Sequence, residues 1–140
     1  MPQPYIDVHH HILPERYVSA VGAYAVGAQG STGRVPTWSV EAALDGMDTA
    51  GVQAAFTSVS APGFRGLTVQ AEAELVRWCN DFAAGLVQAY PHRFGMFAAL
   101  PLQNLDAGLQ EARRALDEMA GVVSHIAYKM GERAASFSQA

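Results

Sequence analysis

The sequence has little charge and almost no cysteine. Only 16% of its 140 residues are charged, and 9 Lys and Arg against 13 Asp and Glu give a net charge of −4. With no basic stripe to follow a phosphate backbone, nucleic acid is not an expected partner. No run of about 18 apolar residues occurs, which argues against a membrane span. The first residues also lack the basic and apolar segments of a secretory signal, so we expect a cytoplasmic protein.

Apolar residues are abundant, since 50% of the chain is hydrophobic. This is the composition of a globular chain that needs a core, and it differs from that of a disordered one. The single cysteine, Cys79, cannot form an internal disulfide, and its place in a helical apolar stripe predicts a packing role. The composition therefore predicts an ordinary globular fold.

Short apolar runs alternate with helical periodicity, which is typical of βα units and a parallel sheet. Strands are predicted over residues 5–10, 53–59 and 94–100, with a fourth beginning at Val122. One helix is predicted between a cap at Ser39 and a stop at Gly51, and another over 68–89. A third helix, capped by Asn104, carries a further set of apolar residues: Leu105, Leu109, Ala112, Leu116 and Met119.

Residues 13–37 form a long, glycine-rich excursion at the carboxyl end of the first predicted strand. Long connections of this kind usually cover sites or move. A helical turn or two is predicted near residues 15–25, although the periodicity there is weak. We therefore expect the excursion to lie over the end of the sheet where the strands terminate.

The first strand ends in a His-x-His pair within Ile6-Asp7-Val8-His9-His10-His11. In an extended strand Asp7, His9 and His11 share one face, while Ile6, Val8 and His10 share the other. Two imidazoles about 6.5–7 Å apart along a strand can bend toward one ion. The alternatives to metal ligation are that the pair occurs by chance, is the remnant of a tag, or contains a histidine packed in the core. Because the run continues directly into Ile12-Leu13-Pro14 without a linker, metal ligation is the favoured interpretation.

Several further segments follow this motif in a fixed order along the chain. They are Trp38-Ser39-Val40-Glu41 with Leu44, Met47-Asp48 and Gly51-Val52; Ser58-Val59-Ser60-Ala61-Pro62-Gly63; Asn80-Asp81-Phe82; and Pro91-His92-Arg93-Phe94-Gly95-Met96-Phe97-Ala98-Ala99-Leu100-Pro101. Together with the opening motif, the set resembles the amidohydrolase superfamily, specifically the amidohydrolase-2 branch that includes aminocarboxymuconate-semialdehyde and 6-methylsalicylate decarboxylases. The resemblance spans residues 4–123.

The resemblance implies an α/β fold that is the N-terminal portion of a metal-dependent TIM (β/α)8 barrel. Such a barrel typically needs about 250 residues, so residues 1–140 would form a single partial domain of three βα units and a fourth strand. Residues 124–140 depart from the family pattern, which suggests a truncated or frame-shifted product, or a fragment. A partial barrel exposes strand edges and an apolar inner face, and this predicts homo-oligomers or aggregation.

The same resemblance implies Zn2+, or another divalent metal, bound by His9 and His11. The implied reaction is non-oxidative decarboxylation of a small aromatic or muconate-type carboxylic acid. The family's third histidine ligand, catalytic histidine and aspartate lie beyond this chain, so no catalytic residue can be assigned. A hydrolase or lactonase on the same scaffold is one alternative, and a non-catalytic remnant that binds metal weakly or self-associates is another.

Other polar residues have weaker assignments. Asp7 is predicted to orient a ligand ring or to fill space at the base of the strand. Arg34 and Arg65 lie in loops at the expected mouth, where each could hold a substrate carboxylate or simply be solvated. His92 is predicted to be exposed or to cap a helix, and Trp38 is predicted to be a packing residue. His125 is a candidate metal ligand but not a favoured one.

Overall fold

The fold is a four-stranded parallel sheet in the order β1-β2-β3-β4. It is seen in a computed structural model that describes residues 5–28, 33–35, 37–119 and 122–123. The elements are β1 (Tyr5–Ile12), α1 (Glu15–Val21), α2 (Ala23–Gly27), α3 (Val40–Ala50), β2 (Val52–Val59), α4 (Val69–Ala89), β3 (Phe94–Ala98), α5 (Leu105–Glu118) and β4 (Val122–Val123). The predicted α/β class with parallel strands is confirmed. The predicted departure over 124–140 lies outside the described residues.

The three longer helices all begin at a side chain that caps them. Ser39, Thr68 and Asn104 each accept a hydrogen bond from the backbone N–H three residues later, which satisfies a donor that the helix itself leaves unpaired. Gly51 ends α3 in the left-handed conformation with φ of 70°, which glycine adopts without strain. The predicted caps at Ser39 and Asn104 and the stop at Gly51 are confirmed.

The main core lies between the sheet and the helices. Along β3, Phe94, Met96 and Ala98 are buried in this core, whereas Gly95 and Phe97 alternate with them and face the other side of the sheet. On that second side the rings of Phe56 and Phe97 have centroids 5.3 Å apart. Phe56 also covers Gly95 so closely that a Cβ there would lie 2.7 Å from its ring. The strand β3 is therefore apolar on both faces, as expected for a strand in a parallel barrel sheet.

A second cluster packs α1 and α2, which follow β1, against the rest of the fold. Tyr17 of α1 is buried against α4, together with Val26, Leu75 and Cys79. The Tyr17 hydroxyl lies 2.9 Å from the carbonyl oxygens of both Ser60 and Gly63, in the turn that follows β2. The helical turns predicted near residues 15–25 are thus present as α1 and α2. Hydrogen bonds from Tyr17 connect α1 to the turn after β2.

Cys79 and Trp38 both have the packing roles predicted for them. Burial raises the pKa of the Cys79 thiol to about 12, so it is neither charged nor reactive at neutral pH. The Trp38 ring packs edge-on against Phe82, with centroids 5.8 Å apart.

The predicted third helix is present as α5, but its leucines do not form its buried side. Leu105, Leu109 and Leu116 are 72%, 50% and 57% exposed, and the buried positions are Gly108, Glu111 and Ala115. A small residue is needed at position 108 because a Cβ there would lie only 3.3 Å from the Pro101 carbonyl oxygen. Glu111 can be buried because its carboxylate accepts hydrogen bonds from Asn80 and Arg114. None of the described helices has the length and apolar character to cross a membrane.

Candidate metal centre

The imidazoles of His9 and His11 meet at the carboxyl-terminal half of β1. Their Nε2 atoms lie 3.1 Å apart, and the two rings stand edge to face with centroids 4.8 Å apart and an interplanar angle of 86°. Both rings therefore project from the same face of the strand, as the period-2 alternation predicts. The two nitrogens that could act as ligands converge on one point.

Asp7 does not lie where strict alternation would place it. Its Oδ1 accepts a hydrogen bond of 2.9 Å from the backbone N–H of His9, and its Oδ2 lies 3.4 Å from Nδ1 of His10. A register shift between Asp7 and His10 inserts one extra residue into β1 relative to β2, which breaks the alternation. The carboxylate thus braces the backbone of the histidine run and contacts the ring of His10.

Ser58 is the residue of this site that the sequence interpretation missed. It is paired in register with His11 across β1 and β2, and its Oγ lies 3.0 Å from Nδ1 of His11. The same hydroxyl donates to the backbone carbonyl of His10 at 3.4 Å. At 4% exposure, Ser58 is shielded from solvent. Two signals in the sequence pointed to it: its position near the end of the second predicted strand, and its place at the start of one of the segments that carry the family resemblance.

The surroundings of His11 favour a neutral ring. Burial lowers the pKa of the His11 imidazole, and the neighbouring ring of His9 lowers it further. A neutral imidazole keeps one nitrogen lone pair, whereas a protonated ring has none to offer a metal. The local electrostatics therefore leave His11 in the form that can act as a ligand.

The two imidazoles fit a shared divalent metal ion. Donors that each bind one ion at about 2.0–2.1 Å can lie at most about 4.2 Å apart, and the observed Nε2 separation is 3.1 Å. Within the part of the chain that the structure describes, no group of three or more His, Cys, Asp or Glu residues could hold an ion. Since a catalytic zinc normally has three protein ligands, these residues fit as two members of a larger ligand set.

The remaining predicted residues lie apart from this pair. Arg34 is exposed in the segment between α2 and α3, and Arg65 is exposed in the turn between β2 and α4. His92 is exposed in the turn that enters β3, at the opposite end of the strands, as predicted. His125 lies outside the described residues.

A buried polar network lies beside the carboxyl end of β3. Asn80 of α4 donates to Glu111 of α5 at 2.7 Å, and the Glu111 carboxylate also accepts from Arg114 at 2.6 and 2.8 Å. Arg114 reaches Asp81 at 2.6 Å as well. The hydrogen bond to Glu111 raises the pKa of Arg114, which stays charged. The network joins α4 to α5 and supports the fold from outside the metal centre.

The fold agrees with the comparison to known families. A family model described as amidohydrolase matches residues 6–126, and the chain belongs to this family, in its amidohydrolase-2 branch. The resemblance carried by the ordered segments of the sequence is thus confirmed.

Curated relatives of the chain include fungal and bacterial decarboxylases. The chain is 39% identical over 119 residues to decarboxylase yanB of Aspergillus niger, a match covering 81% of this chain and 32% of that protein. It is 37% identical over 116 residues to 6-methylsalicylic acid decarboxylase acuB of Aspergillus aculeatus, covering 81% of this chain and 34% of the relative. The chain therefore spans about a third of the length of the curated relatives it matches.

Solved structures show the same fold. The dihydroxybenzoic acid decarboxylase of Polaromonas sp. JS666, crystallised with manganese and the inhibitor 2-nitroresorcinol, superposes with a TM-score of 0.72 at 23% identity. The match covers 88% of this chain and 38% of that one. Similarity at this level of identity concerns the fold alone. Together with the family match, it identifies the four strands and their helices as the N-terminal part of an amidohydrolase TIM barrel.

Proposed function

We propose that the chain supplies the first two metal ligands of a metal-dependent, non-oxidative decarboxylase that acts on a small aromatic carboxylic acid. The observation that carries this proposal is the convergence of the Nε2 atoms of His9 and His11 at 3.1 Å. The names of the two fungal relatives support decarboxylation as the reaction. Manganese in the Polaromonas structure supports a divalent metal.

In this proposal His9 and His11 hold the ion through Nε2. A divalent metal at this point would polarise a substrate oxygen and lower the pKa of a bound water toward about 7. Ser58 accepts a hydrogen bond from Nδ1–H of His11 and so orients the ring. Asp7 fixes the backbone between the two ligands through the N–H of His9. Arg34 and Arg65 are proposed to pair with the substrate carboxylate, for which a guanidinium has matching geometry.

The native metal is part of the proposal. Paired imidazoles suit Zn2+, which prefers nitrogen and sulfur ligands, but they also accept Mn2+ when oxygen ligands complete the site. Zinc is proposed from the donor type, and manganese from the Polaromonas structure. Binding constants for the two ions, measured by calorimetry on the metal-free chain, would rank them. A cytoplasmic location and self-association complete the proposal.

The reaction is tested by following carbon dioxide release from 2-hydroxybenzoate-type acids with the chain loaded with Mn2+ or Zn2+. Release that disappears in His9→Ala and persists in His92→Ala supports the decarboxylase. His92 is a suitable control because it is exposed at the far end of the strands. Hydrolysis of a lactone without carbon dioxide release would replace the decarboxylase with the hydrolase alternative. Metal binding without any turnover would identify the chain by itself as non-catalytic.

A further inference from the structure

The Nδ1 atom of His11 contacts one side chain outside the two proposed ligands, that of Ser58. A neutral imidazole has one N–H, on either Nδ1 or Nε2, and the hydrogen bond made by one nitrogen decides which. If the proton were on Nε2, that nitrogen would have no lone pair for a metal. The partner of Nδ1 therefore determines whether His11 can serve as a ligand through Nε2.

We infer that Ser58 is a positioning residue that fixes His11 as the Nδ1–H tautomer and thereby presents its Nε2 to the divalent cation. The Ser58 Oγ lies 3.0 Å from Nδ1 of His11, within hydrogen-bond distance. The inference rests on the proposed function only in naming the cation as the species that uses this nitrogen.

The direction of the hydrogen bond follows from the other contact of the hydroxyl. Ser58 has one hydrogen to donate, and its Oγ donates toward the carbonyl of His10 at 3.4 Å. A carbonyl can only accept, so in the proposed arrangement the hydroxyl hydrogen is directed to His10 and the Oγ lone pairs face the ring of His11. Nδ1 of His11 then carries the proton and donates.

The contact with His9 completes an ordered chain of hydrogen bonds. With the proton of His11 on Nδ1, its Nε2 accepts, so the 3.1 Å contact requires His9 to donate from its own Nε2 in the metal-free protein. The resulting chain runs from His9 to His11, from His11 to Ser58, and from Ser58 to the carbonyl of His10. The two rings are therefore predicted to be opposite tautomers before metal binds.

The burial of Ser58 and its register with His11 stabilise the hydrogen bond between the two side chains. Ser58 is 4% exposed, so water has little access to replace the serine as partner of Nδ1. It faces His11 directly because the two residues are paired across the parallel strands β1 and β2. Thr57, the preceding residue, uses its hydroxyl differently and donates to the carbonyl of Gly95 at 3.1 Å. Of these two neighbouring hydroxyls, only that of Ser58 contacts Nδ1 of His11.

The test reads the tautomer directly in the metal-free 140-residue chain. Long-range 1H–15N correlation spectra at pH 8 distinguish the Nδ1–H from the Nε2–H form of each ring. We expect Nδ1–H for His11 and Nε2–H for His9 in the wild-type chain. In Ser58→Ala, His11 should move toward the Nε2–H form, and Ser58→Thr, which keeps the hydroxyl, should restore the wild-type spectrum. Ser60→Ala is the matched control and should leave both rings unchanged.

A second measurement concerns the metal. Loss of an outer residue that orients a ligand typically costs about 10–100-fold in metal affinity, so Mn2+ titration of Ser58→Ala should show a loss in that range, with Ser58→Thr recovering most of it. The two proposals can fail separately. If the tautomer of His11 changes in Ser58→Ala but the wild type takes up no Mn2+, the positioning role of Ser58 is upheld and the proposed metal centre is refuted. A wild-type His11 in the Nε2–H form, or one unaffected by Ser58→Ala, would overturn the inference whether or not Mn2+ binds.

Discussion

The carboxamide of Asn80 is bonded twice to the backbone of Ala99. Its Nδ2 donates to the Ala99 carbonyl at 2.9 Å, and its Oδ1 accepts from the Ala99 N–H at 2.8 Å. Ala99 is the first residue after β3, so α4 holds the chain at the point where this strand ends. The second hydrogen of Nδ2 goes to Glu111 on α5. One buried amide therefore connects two helices and a strand end.

Replacing Asn80 with alanine should strongly destabilise the fold. The change leaves the N–H and C=O of Ala99 without their partner in a partly buried setting and removes one partner of the buried Glu111, for an expected cost of about 2–4 kcal/mol. Urea unfolding followed by circular dichroism measures this cost. As a control, Asn104→Ala removes only an exposed helix cap and should cost about 1 kcal/mol. Equal costs for the two variants would show that the Asn80 network contributes little.

Adding a methyl group to Gly95 should also destabilise the chain. Its Cβ would lie 2.7 Å from the Phe56 ring, and overpacking of this kind typically costs about 1–3 kcal/mol. The double variant Gly95→Ala with Phe56→Leu should recover part of the loss. Gly85→Ala is a matched control within α4, where nothing lies within 4 Å of the added methyl, and it should stabilise by about 0.5–1 kcal/mol. Denaturation midpoints that do not distinguish the two glycines would contradict the packing described here.

The free energy of unfolding should fall as the pH rises above the ordinary pKa of a thiol, 9.0. Burial raises the pKa of Cys79 from 9.0 to about 12, so the folded chain keeps a proton that the unfolded chain releases between these values. The unfolded state then binds fewer protons, and the free energy of unfolding drops by about 1.4 kcal/mol per pH unit in this window. Burial also raises the pKa of Tyr17, which adds to the loss above pH 10.

Urea midpoints at pH 8, 9 and 10 test this pH dependence. Between pH 9 and pH 10 the wild type should lose stability, whereas Cys79→Ala should start from a lower value and show a flatter profile. A wild-type profile as flat as that of the variant would mean that the Cys79 thiol ionises as readily in the folded chain as in the unfolded one.

The β1 edge should make the isolated chain self-associate. Ile6 and Val8 are 62% and 64% exposed on this strand, and an apolar edge strand is a template for pairing with another chain. Sedimentation should detect dimers or larger species that are reduced in Val8→Lys. Leu105→Lys, a change on the exposed side of α5, should leave the association unchanged. A wild-type monomer that unfolds cooperatively would refute this prediction.

Local signals allowed most of the fold to be predicted from the sequence. The caps at Ser39 and Asn104 and the stop at Gly51 depend on a few neighbouring residues, and the structure confirms them. The shared face of His9 and His11 also follows from strand alternation. Helix and strand bounds shifted by only a few residues where the predictions could be compared.

Features that depend on register or on distant partners could not be predicted. Ser58 meets His11 across 47 residues of sequence, so its role required the pairing of β1 with β2. The extra residue in β1 is accompanied by the hydrogen bond from the His9 N–H to Asp7, and strict alternation does not anticipate either of them. On α5 the leucines do not mark the buried side, where Glu111 is paired with Asn80 and Arg114.

The central claim, that two imidazoles hold one divalent ion, is tested most directly by calorimetric titration of the metal-free chain with Mn2+. The wild type and His92→Ala are expected to take up one ion per chain, and both His9→Ala and His11→Ala are expected to lose that uptake. Uptake that is unchanged in both of those variants would contradict the account.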